Sequence, residues 1–231
     1  MRLSAHQPIY LGGYLGHFAK LAWCDEWVCY DACPAEDSGF ENRNRIRVGD
    51  VAQMLTVPIR SKRGMILCDI SIANEHRWQR KHWRTIEMAY RKAPYWDRLS
   101  PDLHAFYEQQ WDRLADLDLA MFRHFADVLG LHRPIRRACG MDLVGSKSAA
   151  VLDVCLKTGA DRYLFGPQGE GYADVAAFRA AGVEPVFQKF DHPQYKQAGV
   201  GFVPNLSVLD ALMNVGPEET HRLIVGAMPD D

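Results

Sequence analysis

The fold is set by the stretch RLSAHQPIYLGGYLGHFAKLAWCDEWVCYD, residues 2–31. Its start, residues 2–6, predicts a short strand, and glycines at 12, 13 and 16 predict a loop. The helical pattern of residues 18–23 and the aromatic, β-branched run 26–30 then predict a helix and a second strand. Strand, glycine loop, helix and strand in this order are typical of a parallel α/β unit.

Apolar patterning predicts further elements along the middle of the chain. Residues 54–59 and 65–72 are predicted as two strands, forming a hairpin or an addition to the sheet edge. Residues 78–93 and 101–129 are predicted as helices, with Pro101 near the start of the second one and Gly130 after its end.

The last third of the chain alternates between helix and strand patterns. The predicted elements are a helix over 147–157, a strand over 162–165, a helix over 172–181, a strand over 183–190, and helices near 208–213 and 218–225. We therefore expect an α/β fold, with a mainly parallel or mixed sheet flanked by helices and a helical middle segment. No repeat or linker interrupts the sequence, which predicts one domain over residues 1–231.

Composition limits the class of protein. The 231 residues are 48% hydrophobic with a formal net charge of -2, typical of a globular cytoplasmic protein. We expect no membrane association, because no apolar run is long enough for a signal peptide or a spanning helix. Six cysteines form no CxxC pair, so buried thiols are expected rather than a metal site.

Positive charge is concentrated in residues 42–92, which contain twelve Lys/Arg and four acids. A segment this basic in a chain of pI 6.5 predicts an anionic small molecule or a carrier-bound substrate rather than nucleic acid. Within it, Arg43, Arg45 and Arg47 share one face of an extended run, while Asn42 begins the other face. Arg43 and Arg45 are predicted as an anion clamp, and a solvated basic stripe is the alternative.

The carboxyl end of the first strand is the leading candidate for chemistry. Ligands of parallel sheets bind at this edge, which predicts His6 as a general base or ligand donor, with Gln7 and Tyr10 near the substrate. A histidine packed under the loop is the alternative. Asp31, which follows the second strand, is a further catalytic candidate.

A second candidate is the glycine-rich turn FGPQGEGY, residues 165–172. The backbone at Gly169 and Gly171 is predicted to donate to a developing oxyanion, and Tyr172 to orient the substrate. A tight structural connection is the alternative.

Two short motifs resemble nucleotidyltransferase elements. The run Tyr14 to His17 is similar to an HxGH element with tyrosine in place of the first histidine. Residues 145–148 (GSKS) are similar to a lysine-serine loop that holds a triphosphate, which makes Ser146 and Lys147 candidates. A polar turn and helix cap is the alternative for Ser146.

The stretch between 188 and 210 is rich in hydrogen-bonding side chains. Gln188, Tyr195 and Gln197 are predicted to wall or cover the site as a lid, whereas Ser207 is equally a helix cap. Among the cysteines, Cys33 is the one to test as a nucleophile.

Taken in order, these pieces resemble the WbqC-like family. The resemblance is carried by His6-Gln7-Pro8-x-Tyr10, Gly16-x-Phe18-x-Lys20, Asp25-x-x-Val28, the Asn-Arg-Asn-Arg run 42–45, residues 145–148, Gly169-x-Gly171-Tyr172, Gln188 and Tyr195-x-Gln197. It covers nearly the whole chain. The sequence departs from the family pattern at Gly12-Gly13, at His17 and at residues 32–34.

The resemblance implies a role in bacterial glycan clusters such as O-antigen, and an aminoacyl transferase activity has been suggested for the family. The first hypothesis is therefore an acyl or aminoacyl transferase acting on an amine or amino-sugar acceptor, in glycan or natural-product biosynthesis. The sequence assigns no definite cofactor, and a phosphopantetheine or nucleotide-linked donor is the candidate that fits the basic residues. Nucleotidyl transfer through His17 and Lys147 is the second hypothesis, and a non-catalytic binding protein of a biosynthetic complex is the third.

Overall fold

The first strand, β1 (Arg2–His6), lies at the centre of a five-stranded sheet in the computed structural model, which describes residues 1–36 and 39–227. On one side β1 pairs with β2 (Glu26–Cys29), and β2 pairs with β7 (Ile135–Arg137). On the other side β1 pairs with β8 (Arg162–Phe165), and β8 pairs with β9 (Glu184–Phe187). All four pairings are parallel, which confirms the α/β fold and makes this sheet parallel rather than mixed.

Helices cover both faces of the sheet, because alternate residues of its strands are apolar on opposite sides. On one face α1 (Leu15–Trp23) and α4 (Leu114–Val128) bring Phe18 and Phe122 into the core that includes Trp27 of β2. On the other face α5 (Ser148–Thr158) and α6 (Val175–Ala180) pack against Leu3, Val28 and Phe165.

The middle segment is helical, as predicted, but its second helix is not continuous. The prediction of one helix over 101–129 is wrong: α3 (Trp96–Glu108) contains Pro101, and α4 begins at Leu114. The break has a backbone cause. The N–H of Ile72 donates to Asp112 O and the N–H of Leu114 donates to Ile70 O, so the chain at 112–114 pairs with a neighbouring segment instead of continuing the helix.

The predicted hairpin is also displaced along the chain. The main antiparallel pair is β3 (Arg43–Val48) with β4 (Val51–Thr56), turning at Gly49, whose φ of 61° favours glycine. Of the predicted strands, residues 54–56 belong to β4, and the two predicted strands pair with each other only through the short β5 (Ile59–Arg60) and β6 (Ser71–Ile72). The extended run 42–47 was expected, but its partner strand was not.

Helix α2 (Trp78–Tyr90) confirms the helix predicted over 78–93, with Ile86 and Tyr90 on its buried side. The short edge strand β7 was missed, because three residues carry no periodicity and only pairing with β2 makes them a strand.

The C-terminal elements match the predicted order. Helix α6 (Val175–Ala180) is shorter than the predicted 172–181, because Asp174 caps its start by accepting from the N–H of Ala177 over 3.0 Å. The two predicted final helices form α7 (Val208–Gly226), which is kinked at Gly216 and Pro217. Among the described residues, no helix has both the length and the apolar character to cross a membrane. The prediction of one domain stays a prediction.

Candidate functional site

The candidate site lies where the strand order reverses. From β1 the chain continues to β2 and β7 on one side and to β8 and β9 on the other, so the connections after β1 and β8 lead away from each other. In doubly wound sheets this divergence opens a crevice at the carboxyl ends of the strands. His6 ends β1 and Phe165 ends β8, which places His6 and Gly166 at the edge of that crevice.

Two histidines meet there. The Nε2 atoms of His6 and His17 are 3.1 Å apart, and their rings meet edge to face. The backbone N–H of Tyr14 donates to His17 Nδ1 over 3.2 Å, so His17 carries its proton on Nε2 and donates to His6. His6 Nδ1 in turn donates to the carbonyl of Gln7 over 2.8 Å. The pair is thus ordered with both rings neutral.

The loop before α1 is shaped to admit this pair. Gly13 has φ of 79°, and a Cβ placed there would lie 2.6 Å from His17 Nδ1. A glycine is therefore needed for two reasons, its left-handed backbone and the close approach of the imidazole. The departure from the family pattern at Gly12-Gly13 and the histidine at 17 form one structural feature.

Burial sets the charge state of the site. Burial and the charge of Lys20 lower the pKa of His6 to about 4, and burial, His6 and Lys20 lower that of His17 well below its usual value. Lys20 is 3% exposed, and burial lowers its pKa to about 8. Its Nζ donates to Ala5 O over 3.2 Å and lies 5.4 Å from the centre of the Trp27 ring. At neutral pH the site holds two uncharged imidazoles beside one ammonium.

Gln7 and Cys33 form the next part of the carboxyl edge of the sheet. Gln7 Nε2 donates to Cys33 Sγ over 3.3 Å, and the thiol is 3.4 Å from Tyr30 O. Burial raises the pKa of Cys33 to about 11, so the thiol is protonated at neutral pH. The nucleophile hypothesis for Cys33 stays a prediction, and it would require a base that takes this proton.

Below the loop that follows β1 there is a cavity of about 20 Å³. Its wall includes His6, His17, Trp27, Phe122 and Asp118. Asp118 lies on α4, is 0% exposed, and has no hydrogen-bond partner for either carboxyl oxygen among the described residues. Burial and the nearby Glu41 raise its pKa well above the usual range.

Sequence reasoning missed Asp118, although a signal was present. Leu114, Leu117, Met121 and Phe122 form the apolar stripe of α4, and Asp118 occupies a position within that stripe. A carboxylate at a core position of an amphipathic helix indicates either a buried ion pair or a functional group.

Two predicted site residues have other roles. The side chain of Asp31 is fully buried: Oδ2 accepts from Arg137 over 2.6 Å and Oδ1 accepts from the N–H of Cys139 over 2.8 Å. Tyr10 is also 0% exposed, and its hydroxyl contacts His82 and Tyr107 at 2.8 Å each. Both side chains are engaged by the protein, so Asp31 joins β2 to β7 and Tyr10 belongs to the core.

The glycine turn is closed by its own hydrogen bonds. The N–H of Gly169 donates to Gly166 O over 2.8 Å, so an oxyanion would have to displace this contact. Gly171 and Tyr172 are exposed, and the Tyr172 ring meets Phe165 edge to face at 5.8 Å. The turn lies at the expected edge of the sheet, and the oxyanion role stays a prediction.

Ser146 and Lys147 are exposed at the start of α5. Ser148 Oγ accepts from the N–H of Asp174 over 2.8 Å, which places the start of α5 beside the end of the glycine turn. Lys147 has φ of 51°, and it is exposed where α5 begins at this edge of the sheet, a position we call the rim. Because α5 and α1 pack on opposite faces of the sheet, Lys147 lies on the opposite face from the histidine pair.

The predicted arginine clamp is divided. Arg43 donates to Gly39 O over 2.7 Å, and Arg45 donates to Asn205 O over 3.2 Å, while both remain partly exposed. Asn42 donates to Val57 O. Arg47 is 4% exposed and is held inside the protein, so it does not complete a clamp of three guanidinium groups.

The predicted lid residues form a structural network instead. Gln197 accepts from Arg47 over 2.7 Å and donates to Asp210 over 2.8 Å, and Tyr195 donates to the same carboxylate over 3.0 Å. Gln188 is buried and donates to Gly16 O over 2.9 Å. Tyr195 and Gln197 are engaged by other side chains and fasten the 195–203 segment, whereas the buried Oε1 of Gln188 has no hydrogen-bond partner among the described residues.

A family model described as the WbqC-like protein family matches residues 7–222. The chain belongs to this family. It is also similar to an uncharacterized protein of Mycobacterium tuberculosis, with 28% identity over 207 residues covering 88% of this chain and 89% of the relative. No solved structure matches the chain.

The span matched to the WbqC-like family begins one residue after His6 and contains His17, Lys20 and Asp118. The family match therefore includes His17, Lys20 and Asp118 but not His6. It assigns none of them a reaction.

Proposed function

We propose that the protein is an acyl or aminoacyl transferase that forms an amide on an amine or amino-sugar acceptor, in bacterial glycan or natural-product biosynthesis. The observation that carries the proposal is the neutral His6–His17 pair beside Lys20 at the reversal of strand order. Amide formation is assisted by a group that takes a proton from the amine, and a cation attracts a phosphate-bearing donor. His6 and Lys20 at this edge support the proposal in these two roles.

The histidine pair is the proton acceptor in this proposal. In the resting protein the lone pair of His6 Nε2 accepts from His17, so an acceptor N–H takes the place of the His17 N–H. The neutral amine nitrogen attacks the carbonyl carbon, the bond to the leaving group breaks with its electron pair going to the departing thiolate or phosphate, and His6 takes the proton that the nitrogen loses and then passes it to that leaving group. His6 Nδ1–H stays on Gln7 O and stabilises the ring as it becomes positive.

The donor is proposed to carry phosphate, as a phosphopantetheine or nucleotide-linked group, either free or on a carrier protein. Lys20 supplies positive charge inside the crevice and Lys147 supplies it at the rim. The exposed Arg77, Lys81 and Arg84 of the α2 region have no ion-pair partner in the described part of the chain and suit a carrier with acidic side chains.

The test is amide formation by purified protein. Acyl-CoA donors, or an amino acid with ATP, are mixed with amine acceptors and products are followed by mass spectrometry. Loss of His6 in His6→Ala is expected to lower turnover about 100-fold or more, the usual effect of removing a general base. The matched control is His132→Ala, since His132 is exposed and its Nδ1 lies 3.5 Å from Asp127 at the surface. Full activity in His6→Ala would overturn the role of the pair.

Nucleotidyl transfer is the second candidate, favoured by the position of His17 in the first turn of α1 directly after β1. It predicts pyrophosphate release from a nucleoside triphosphate with Mg²⁺. Absence of both pyrophosphate and a nucleotide-induced thermal shift would exclude it. Ligand binding without turnover under either set of conditions would favour the non-catalytic binding protein.

A further inference from the structure

The strongest unexplained feature of the molecule is the unpartnered carboxyl group of Asp118. Its two oxygens are buried without a hydrogen-bond partner among the residues described, although buried polar groups are nearly always paired. It lines the same cavity as His6 and His17, on the face of the sheet that carries the proposed base. A buried acid that lacks a partner beside the proposed reaction centre is placed to receive one from a ligand.

The size of the cavity limits that partner. About 20 Å³ is sufficient for one group the size of a water molecule and not for a whole substrate. Only one small polar group of a ligand can therefore occupy the cavity.

The side chains that line the cavity indicate which polar group of a ligand fits. Trp27 and Phe122 line the cavity with stacked rings 5.1 Å apart, so the wall beside the Asp118 carboxyl is aromatic and apolar and supplies no hydrogen bond to it. A buried carboxyl in such a wall suits a ligand group that is small, positively charged and able to donate hydrogen bonds, as an ammonium group is. A metal ion does not fit, since the described residues contain no group of three or more His, Cys, Asp or Glu able to hold one.

We infer that the cavity binds the primary ammonium group of the acceptor, with Asp118 as its counter-ion and His6 as the neighbouring base. This inference rests on the proposed transferase function for the identity of the ligand, but binding itself requires no donor. It places the acceptor amine between α4 and the end of β1, within the cavity that His6 lines.

Binding has a balanced proton count. In the free protein Asp118 is neutral, because burial and Glu41 disfavour its charge. When an ammonium group arrives, the carboxyl releases its proton to solvent and forms an ion pair. Before the attack on the donor, the ammonium group gives one proton back to the Asp118 carboxylate and becomes a neutral amine, and His6 takes the second proton as the amide forms. The other ionisable groups around the cavity are His6, His17 and Cys29 in its wall, and Glu41 and Lys20 beside them. The two histidines are already neutral, and burial raises the Cys29 pKa, so Asp118 is the group expected to release the proton.

The experiment is titration calorimetry of the full chain with methylammonium at pH 7 in two buffers of different ionisation enthalpy. We expect binding with release of about one proton per ligand. Tetramethylammonium, which is larger and has no N–H, and methanol, which has no charge, are expected not to bind. Absence of methylammonium binding, or equal binding of all three probes, would overturn the inference.

The variant is Asp118→Asn, which keeps the shape and removes the charge. Affinity for methylammonium is expected to fall at least tenfold and proton release to disappear. The matched control is Asp127→Asn on the same helix, because Asp127 is exposed and contacts His132. If Asp118→Asn fails to fold, the two-buffer measurement on the wild type still decides the question. Unchanged affinity in a folded Asp118→Asn protein would overturn the site.

These results separate the two proposals. Methylammonium binding through Asp118 without amide formation would leave the site standing and remove the transferase. Amide formation with an unchanged KM for the amine in Asp118→Asn would support the transferase and remove the ammonium site.

Discussion

Two buried aspartates on two helices show how differently this protein treats the same side chain. Asp210, in the first turn of α7, accepts from the hydroxyls of Tyr90 and Tyr195 over 2.8 and 3.0 Å and from Gln197 over 2.8 Å. Asp118, in the middle of α4, accepts from nothing in the described structure. Both are 0% exposed.

This difference in hydrogen bonding indicates a structural role for Asp210 and a ligand-binding role for Asp118. Asp210 is completed by the protein, and through Gln197 and Arg47 it fastens the 195–203 segment to β3. A carboxyl that is already satisfied has no need of a ligand. Asp118 retains its full hydrogen-bonding capacity beside the histidine pair, which is the arrangement expected of a group that acts on a ligand.

The largest effect is expected where the network is broken. Asp210→Ala leaves the buried hydroxyl of Tyr90 and the half-buried hydroxyl of Tyr195 without their acceptor, and should lower the free energy of unfolding by about 3 kcal/mol. Urea denaturation monitored by circular dichroism measures it. Glu218→Ala, which removes only an exposed ion pair with Arg98, is the control and should change little. A loss below that of the control would mean that the network is not structural.

The histidine pair should give a pH dependence of stability. The pKa of His6 is about 4 in the folded protein and near 6.5 when unfolded, so the unfolded chain binds the proton first as the pH falls. Stability contributed by neutral His6 is present above pH 6.5 and is lost between pH 6.5 and 4. Relative to His6→Gln, which does not titrate, the wild type should lose about 2 kcal/mol between pH 7.5 and 4.5. Parallel pH profiles would contradict the buried, neutral pair.

Replacing Asp118 should raise the free energy of unfolding, whereas replacing Asp210 should lower it. Its folded pKa is raised, so the folded protein retains a proton that the unfolded chain releases above pH 4, and stability falls as the pH rises from that point. Asp118→Leu should therefore raise the free energy of unfolding by about 1 kcal/mol at pH 7.5, and by less at pH 4. The cavity accommodates part of the larger side chain. A loss of stability at both pH values would show that Asp118 has a structural role.

The smallest effect on stability is expected at Lys147. Its side chain is exposed at the rim, so Lys147→Ala should alter the free energy of unfolding by less than about 0.5 kcal/mol. Any decrease in turnover or donor affinity then reports contact with substrate. If both stability and activity are unchanged, the lysine-serine loop plays no part in the reaction.

Local patterns were sufficient for most of the fold. The elements with clear periodicity, such as β1, α1, α2, α5 and β8, were predictable because their apolar spacing is encoded in adjacent residues. The hairpin partner of β3, the break before Leu114 and the edge strand β7 were not, because each depends on backbone pairing with a segment distant in the sequence.

The candidate site was predictable only where local patterns position its residues. His6, His17 and Lys20 follow from strand and helix positions within twenty residues of one another. By contrast, Tyr10, Asp31, Tyr195 and Gln197 are polar residues near expected edges whose hydrogen bonds are filled by distant side chains. Sequence position alone does not distinguish a filled polar group from a free one.

The sequence by itself determined the α/β architecture, the carboxyl edge that His6 occupies and the membership in the WbqC-like family. Only the tertiary structure decided which polar groups are free. The reason is physical: alternation and helical spacing are local, whereas the pairing of a buried carboxyl depends on whichever segments pack against it. That is why Asp210 becomes part of the framework while Asp118 remains without a partner beside the histidines.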